Sequence, residues 1–221
     1  MCSAKSNRGD SGKDRVATVN HKLGRETAVP LVLMMVMVFF WACPAWAGVP
    51  TEKVKETTDK ILAVVSDSDL KDPAKEAQRR QRIRKTVDEL CDWEEMSRRS
   101  LGRHWAQRSD QEKKEFVHLF GQLLETTYID KVEGYSGEKV IYAGERIDGD
   151  YAEVDVRIVT RKNTEIAVLY KMRKRDQKWW VYDMAVEGIS LVNNYRTQFS
   201  DILAKSSFEG LMKKLKEKSA E

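Results

Sequence analysis

The stretch "YAEVDVRIVTRKNTEIAVLYKMRKRDQKWWVYDMAV", residues 151–186, decides the fold. It contains three apolar segments, and in the first of them apolar and polar residues alternate cleanly, with Ala152, Val154, Val156 and Ile158 at the apolar positions. In the second, Ile166, Val168, Tyr170 and Met172 share one face, and the third is rich in aromatic residues. Alternation with a period of two is typical of a strand that is buried on one face. The connections are short, "KNT" at 162–164 and "DQ" at 176–177. Because short connections allow only antiparallel pairing, the stretch predicts three consecutive antiparallel strands.

A fourth strand is predicted just before this stretch, in "KVIYAGER" at residues 139–146. The four strands form a meander with one apolar and one charged face, so one face has to be covered by other elements. The rest of the chain supplies helices for this purpose. We therefore predict an α+β fold: a four-stranded antiparallel meander wrapped by helices.

Helices are predicted both before and after the sheet along the chain, because apolar residues there recur at a spacing of three to four. One begins at Pro50, the next after Asp72-Pro73, and a short third one ends near Gly102. Ser109 and Glu112 form a capping box that opens the longest helix, to about residue 134. Two more helices follow the sheet, the first from about 190 to 204. We expect a helical part at 48–135, a sheet at 138–187 and C-terminal helices at 189–219, all in one domain covering 48–221.

Residues 1–47 differ from the rest of the chain. A basic start precedes the uncharged run "LVLMMVMVFFWA" at 31–42, and "AWA" follows at 45–47. This order is typical of a secretory signal peptide, with cleavage expected after Ala47. The alternative is an uncleaved membrane anchor, although the apolar run at 29–47 is short for a span and has prolines near its ends.

Charge and cysteine content exclude several classes of protein. Removing the six basic and three acidic residues of 1–47 from totals of 39 and 35 leaves 33 and 32, a net charge of +1. This balance does not favour nucleic acid as a partner. Cys91 alone remains in the mature chain, so no internal disulfide can form. We expect it to act as a small buried hydrophobe.

No motif of a catalytic or cofactor site occurs in the chain. The mature part has only two histidines, His104 and His118, and it lacks the spacings of zinc, phosphate-loop, dinucleotide and hydrolase motifs. Asp183 and Glu187 are four residues apart, but on or just after a strand they are expected to bond the backbone or a nearby arginine. We therefore predict that the protein is not an enzyme and needs neither a metal nor a cofactor.

Two basic runs permit two interpretations. They are "RRQRIRK" at 79–85 and "KMRKRDQK" at 171–178. Each is either an ordinary solvated surface or a surface that docks onto anionic head groups or an acidic partner.

The remaining feature is the apolar lining between sheet and helices. On the sheet it comprises Val154, Val156, Ile158, Ile166, Val168, Tyr170, Tyr182 and Met184, and on the helices Phe120, Leu124, Tyr128, Leu191, Val192 and Phe199. Periodicity does not tell a filled core from a hollow one, so a closed core and a ligand cavity both remain open at this point. Methionine adapts to irregular shapes, and tyrosine offers a polar tip at a pocket mouth.

Four blocks of the chain resemble, in order, the motifs of the MlaC family, also called toluene-tolerance auxiliary proteins. The blocks are "LGRHW" at 101–105, "FGQLLETTY" at 120–128, "KWWVYDMAVEGISLVNNYRTQF" at 178–199 and "FEGLMKKL" at 208–215. The resemblance implies a periplasmic phospholipid carrier with a curved sheet similar to nuclear-transport-factor-2-like domains. It also implies a deep apolar cavity, sized for acyl chains, between the sheet and the helices.

The resemblance further implies the cargo, the partners and the site. The cargo is a phospholipid, and the partners are an inner-membrane MCE-domain protein of an ABC transporter and an outer-membrane lipoprotein–porin complex. The family keeps the outer membrane asymmetric. The domain 48–221 is then a lipid-binding domain. Tyr182, Met184 and Val186 are expected to face the cavity, and the helix with Leu191, Val192, Tyr195 and Phe199 to close its side.

Two alternatives stay open beside this expectation. The first is a periplasmic interaction or adaptor protein that has a closed core and no ligand. The second is a hydrolase or isomerase on a similar cone-shaped sheet, which needs a polar, titratable pocket.

Overall fold

The structure is a computed structural model, and it describes residues 49–219. The signal peptide predicted at 1–47 lies outside these residues. Six α-helices and five strands follow one another: α1 (Pro50–Ser66), α2 (Glu76–Asp88), α3 (Trp93–Leu101), α4 (Asp110–Glu133), β1 (Lys139–Asp148), β2 (Tyr151–Val159), β3 (Glu165–Arg175), β4 (Lys178–Val186), β5 (Ile189–Ser190), α5 (Leu191–Lys205) and α6 (Phe208–Ser219). Within the described range, no helix is both long and apolar enough to cross a membrane.

The helix starts follow local chemistry. Pro50 occupies the first turn of α1, where its missing N–H leaves no bond unmade. Asp92 caps α3, and its carboxylate accepts a bond from the Glu95 N–H at 3.1 Å. The capping box predicted at Ser109 and Glu112 is present with both of its reciprocal bonds, so α4 begins where the sequence indicates.

The α+β meander predicted from the alternation is confirmed. The sheet is open and antiparallel, with the strands in sequence order from β1 to β5. The fifth strand was not predicted. It is only two residues long and pairs with Ala185 and Val186 after a turn in which Glu187 and Gly188 have positive φ. Two residues carry no periodic signal, which is why the sequence did not reveal it.

A β-bulge in β4 changes which residues share a face. Tyr170 lies opposite Met184, but Met172, two residues further, lies opposite Val181. One extra residue of β4 is therefore inserted between them. As a result Met184 and Val181 face the same side of the sheet, although strict alternation would have placed Tyr182 there with Met184.

The segment before α3 is attached to the free edge of β4. The N–H of Asp92 donates to the carbonyl of Val181 at 2.8 Å, and the N–H of Val181 donates to the carbonyl of Leu90 at 2.9 Å. Arg175 reinforces this junction by donating to the Asp92 carboxylate at 2.9 Å. The junction places Cys91 directly beside Val181.

Three groups of buried apolar side chains hold these elements together. The largest joins α3, α4, α5 and α6 and is rich in phenylalanine. The second lies between α1 and the apolar face of the sheet and is centred on Val54 and Val154. The third is small and joins α1, α2 and α4 through Val65, Ile83 and Ile129. A space remains between the first and third groups.

Candidate functional site

A partly open cavity of about 160 Å³ lies between α2, α4 and β4. Its lining is almost wholly apolar, and the residues that form it are Ile83, Arg84, Val87, Cys91, Trp93, Met96, Gly121, Leu124, Glu125, Tyr128, Ile129, Val132, Val181, Met184 and Leu191. Apolar cavities of this kind exclude water and accept apolar ligands. The cavity is the candidate functional site.

Features of the backbone shape the walls of this space. The bridge between Cys91 and Val181 fixes one wall, and the bulge in β4 turns Met184 toward the same side as Val181. On the opposite wall, α4 has a glycine at 121. A Cβ added at Gly121 would lie 3.7 Å from Nη2 of Arg84 and 4.0 Å from Cδ2 of Trp93. Both distances are ordinary van der Waals contacts, so the side chains of Arg84 and Trp93 lie close to α4 at Gly121.

Arg84 and Glu125 are the charged residues among those lining the cavity. They form an ion pair that bridges α2 and α4. Their side chains are 31% and 27% exposed, so the pair lies at the boundary between the apolar interior and solvent. It marks the mouth of the cavity.

Further ion pairs join the same two helices. Arg79 Nε lies 2.6 Å from a carboxylate oxygen of Glu133, and Arg80 Nη2 lies 3.0 Å from Asp130 and 3.2 Å from Glu133. In the basic run 79–85, these arginines are thus held within the molecule. In the second run, 171–178, Arg173 pairs with Asp92 and Glu95, and Arg175 pairs with Asp92.

Besides the Arg84–Glu125 pair, the lining contains two titratable groups, the Cys91 thiol and the Tyr128 hydroxyl, and both stay neutral at pH 7. Burial raises the pKa of the Cys91 thiol to about 12, and the nearby Asp88 and Asp92 carboxylates add to the rise. Burial also raises the pKa of Tyr128. A thiol with so high a pKa is protonated at neutral pH and is a poor nucleophile. The lining therefore offers apolar contact and little acid–base chemistry.

Four residues of the predicted lining border this cavity: Leu124, Tyr128, Met184 and Leu191. The other eleven lie elsewhere in the structure and form three groups.

The first group is Phe120, Val192, Tyr195 and Phe199, which belong to the phenylalanine-rich cluster. Their rings pack edge to face, with centroids 5.2 Å apart for Phe120 and Tyr195 and 5.5 Å apart for Phe120 and Phe199. The sequence placed them in one lining with Leu124 because α4 has a wide apolar face. In the structure that face is divided between two different neighbours.

The second group lies on the apolar face of the sheet, where Val54 of α1 and Trp179 cover it; its members are Val154, Val156, Ile158, Ile166, Val168 and Tyr170. The third consists of Tyr182 alone. The bulge turns this side chain to the opposite face, where the Arg99 guanidinium lies 4.1 Å from its ring centroid and the Tyr151 ring 6.1 Å away. We correct the expected orientation of Tyr182 accordingly.

Most of the cavity wall was missed by the sequence analysis. Arg84 and Glu125 were passed over because charged residues on helices are usually solvated, and Gly121 because it interrupts the apolar pattern of α4. The sequence contains no signal that brings Gly121 of α4 together with the basic run of α2. Val181 was not among the predicted lining residues, and only the position of the bulge reveals that it borders the cavity.

No metal site accompanies the cavity. In residues 49–219, no group of three or more His, Cys, Asp or Glu side chains is placed to bind a metal ion. Asp183, expected from the sequence to bond the backbone or a nearby arginine, accepts bonds from the Ser190 hydroxyl at 2.7 Å and the Val192 N–H at 3.1 Å. It is a helix-anchoring carboxylate.

Comparison with known proteins shows to which family the chain belongs. The family described as "MlaC protein" matches residues 55–217, about three quarters of the chain. The chain belongs to the MlaC family. A curated MlaC of Haemophilus influenzae, named an intermembrane phospholipid transport system binding protein, is 26% identical over 126 residues. That match covers 55% of this chain and 59% of the relative, less than two thirds of its length.

A solved structure also resembles this MlaC chain. It is the phospholipid-binding protein from Ralstonia solanacearum in complex with a phospholipid. The two share 25% sequence identity with a TM-score of 0.68, and the match covers 78% of this chain and 98% of that one. The family resemblance inferred from the four sequence blocks is therefore confirmed. The MlaC family is one of lipid-binding transport proteins and is not known for catalysis.

Proposed function

We propose that the protein is a phospholipid carrier that holds acyl chains in the cavity between α2, α4 and β4. The observation that carries this proposal is the apolar, partly open cavity in a chain of the MlaC family. A relative of the same fold was solved with a phospholipid bound.

The physical need for a carrier follows from the cost of exposing lipid to water. Each methylene moved into water costs about 0.8 kcal/mol, so a two-chain lipid costs on the order of 20 kcal/mol. Unaided crossing of an aqueous gap is therefore negligible. A protein lined with hydrocarbon side chains makes transfer from a bilayer nearly neutral in free energy.

The cavity is smaller than this function requires, and smaller than the resemblance led us to expect. A volume of about 160 Å³ is close to that of an engineered ~150 Å³ cavity that binds benzene. Two acyl chains need several times more space. We propose that α2 moves away from α4 to provide it, because α2 is held there by the small cluster of Val65, Ile83 and Ile129 and by ion pairs.

The finer parts of the proposal concern place and partners. We propose that residues 1–47 direct secretion, that residues 48–221 act as one lipid-binding domain in the periplasm, and that the protein shuttles phospholipid between outer-membrane and inner-membrane Mla complexes. The partners are the lipoprotein–porin complex on one side and the MCE-domain protein of the ABC transporter on the other. A nearly neutral carrier gives no direction by itself, so net direction comes from these partners and from ATP used at the transporter.

The proposal is tested by purifying the mature protein under gentle conditions and analysing an organic extract by mass spectrometry. We expect phospholipid at close to one molecule per protein. After delipidation and refolding, the protein should take up a fluorescent phospholipid from vesicles. A correctly folded sample that neither co-purifies with lipid nor takes it up contradicts the proposal and supports the closed-core adaptor instead.

A further inference from the structure

The Arg84–Glu125 pair has a position that a purely structural ion pair does not need. It lies at the mouth of an apolar cavity, with less than a third of each side chain exposed, and joins two helices. The α2–α4 contact is already supported by Arg79 and Arg80, which pair with Glu133 and Asp130. Those pairs lie outside the cavity lining, whereas Arg84 and Glu125 belong to it.

We propose that Arg84 is the phosphate-binding residue of this site: on loading, its guanidinium leaves Glu125 and binds the phosphodiester of the glycerophospholipid. This inference rests on the proposed function and adds a polar subsite to it. The acyl chains fill the space below the pair, and the head group beyond the phosphate remains in solvent.

The chemistry favours such an exchange. A guanidinium binds a carboxylate and a phosphate with the same planar array of N–H donors, so one partner replaces the other without loss of bonds. A partly exposed arginine at the edge of an apolar cavity loses a charge-assisted bond when it leaves its partner, and Glu125 satisfies Arg84 until the lipid enters.

The exchange also couples the opening of the mouth to the presence of cargo. Separation of α2 from α4 breaks the Arg84–Glu125 bond, and the phosphate of an entering lipid restores an ionic partner to Arg84. A lipid with the same acyl chains but no phosphate gains the apolar contact without that partner. Arg84 therefore makes the site selective for phospholipid over diacylglycerol.

The test compares two pyrene-labelled lipids with identical acyl chains, phosphatidylglycerol and diacylglycerol, in transfer from vesicles to delipidated protein. The measured quantity is the ratio of their affinities, because the ratio cancels changes in the apolar cavity. We expect Arg84→Gln to lower the ratio about tenfold, the loss of one charge-assisted hydrogen bond. Breaking the Arg84–Glu125 bond costs the same for both lipids and cancels in the ratio, but the Glu125 carboxylate repels only the lipid that carries a phosphate. Glu125→Gln should therefore raise the ratio several-fold. Arg82→Gln, an equal charge change at an exposed position of α2 outside the lining, should leave it unchanged.

Each outcome decides between explanations. An unchanged ratio in Arg84→Gln, with both lipids still entering, overturns the Arg84 assignment and leaves the carrier proposal standing. Failure of the wild-type protein to take up either lipid overturns both. If Arg84→Gln does not fold, the ratio in Glu125→Gln decides, and no increase there contradicts the exchange. Inorganic phosphate added alone should not displace labelled phosphatidylglycerol; displacement would show a site for free phosphate rather than for lipid.

Discussion

The two faces of helix α4 are packed in opposite ways. On one face Phe116 and Phe120 meet Phe199 with ring centroids 5.5 Å apart in both pairs, and aromatic side chains fill the space between helices. On the other face Gly121 and Leu124 border a cavity. Both faces are apolar in sequence. The difference arises from what lies opposite, a close-packed helix pair in one case and a helix held across a gap in the other.

This difference separates a part of the molecule that keeps its shape from a part that can change it. Close packing of rings resists displacement, because each ring has neighbours on all sides. Across the gap, α2 is joined to α4 mainly by long charged side chains and a few aliphatic contacts. The Arg84–Glu125 pair is partly exposed, and ion pairs near a surface contribute little to stability, so this pair can be exchanged at low cost. We infer that α4, α5 and α6 form the fixed frame and α2 the movable wall.

The largest effect is expected from truncation on the filled face. Phe120→Ala should lower the free energy of unfolding by about 3–5 kcal/mol, because it leaves a void in a close-packed cluster. Leu124→Ala should cost less than about 2 kcal/mol, since its side chain already borders empty space. Urea denaturation of both variants checks this. Equal losses of unfolding free energy in the two variants would show that the two faces of α4 are packed alike.

The fixed frame also depends on a buried carboxylate at the junction of α3 and the sheet. Arg98, followed by Arg99, lowers the pKa of Glu95 to about 2, and Arg173 lies 3.3 Å from the same carboxylate. A lowered pKa means that the carboxylate stabilises the folded state above its unfolded pKa of about 4.3, and that this stabilisation disappears as the pH falls toward 2.

Glu95→Gln should therefore destabilise the protein by about 1–3 kcal/mol at pH 7. The difference in free energy of unfolding between wild type and variant should decrease steadily below pH 4. Denaturation curves over a pH series measure this. If this difference in free energy does not depend on pH, the effect of Glu95 comes from packing and not from its charge.

A larger side chain should be tolerated on the cavity face of α4 and should destabilise the protein on the filled face. Leu124→Trp places extra atoms in the cavity, so it should reduce phospholipid uptake several-fold and change stability by less than about 1 kcal/mol. Leu119→Trp, a matched change on the filled face, should cost about 1–3 kcal/mol by overpacking. Lipid uptake should be measured on whatever folded fraction of each variant remains. Unaltered uptake by Leu124→Trp would show that the cargo lies elsewhere.

The smallest effect concerns the reactivity of Cys91, which lines the cavity. Because its pKa is raised to about 12, the thiolate fraction at pH 8 is about a thousandfold lower than for a free thiol. Labelling by iodoacetamide in the folded protein should therefore be very slow and should accelerate only at strongly alkaline pH. Rapid stoichiometric labelling at pH 8 would mean that the cavity wall is open to solvent far more than described.

The architecture could be predicted because its signals are local. The alternation in residues 151–159, the capping box at Ser109 and the proline at 50 each determine an element on their own. The four family blocks added the relationship to phospholipid-binding proteins. The predictions were weakest where two elements meet, since periodicity assigns a residue to a face but not to a neighbour.

The site illustrates this limit. Phe120 and Leu124 are one turn apart on α4 and both belong to the phenylalanine-rich cluster, yet only Leu124 also borders the cavity. A single inserted residue in β4 moved Tyr182 to the opposite face and brought Val181 to the cavity. Neither a bulge nor the partner of a helix face can be read from hydrophobic periodicity. Recognition of the cavity therefore required the three-dimensional arrangement.

The central claim is that acyl chains enter between α2, α4 and β4. The most direct test loads the delipidated protein with a phospholipid that carries a photoreactive diazirine near the end of one acyl chain, and maps the cross-links by peptide mass spectrometry. We expect adducts on the residues that line the cavity: Val87, Cys91, Leu124, Tyr128, Ile129 and Met184. Adducts concentrated on Val54, Val154 and Val156, between α1 and the sheet, would contradict the account and place the cargo in the second apolar cluster.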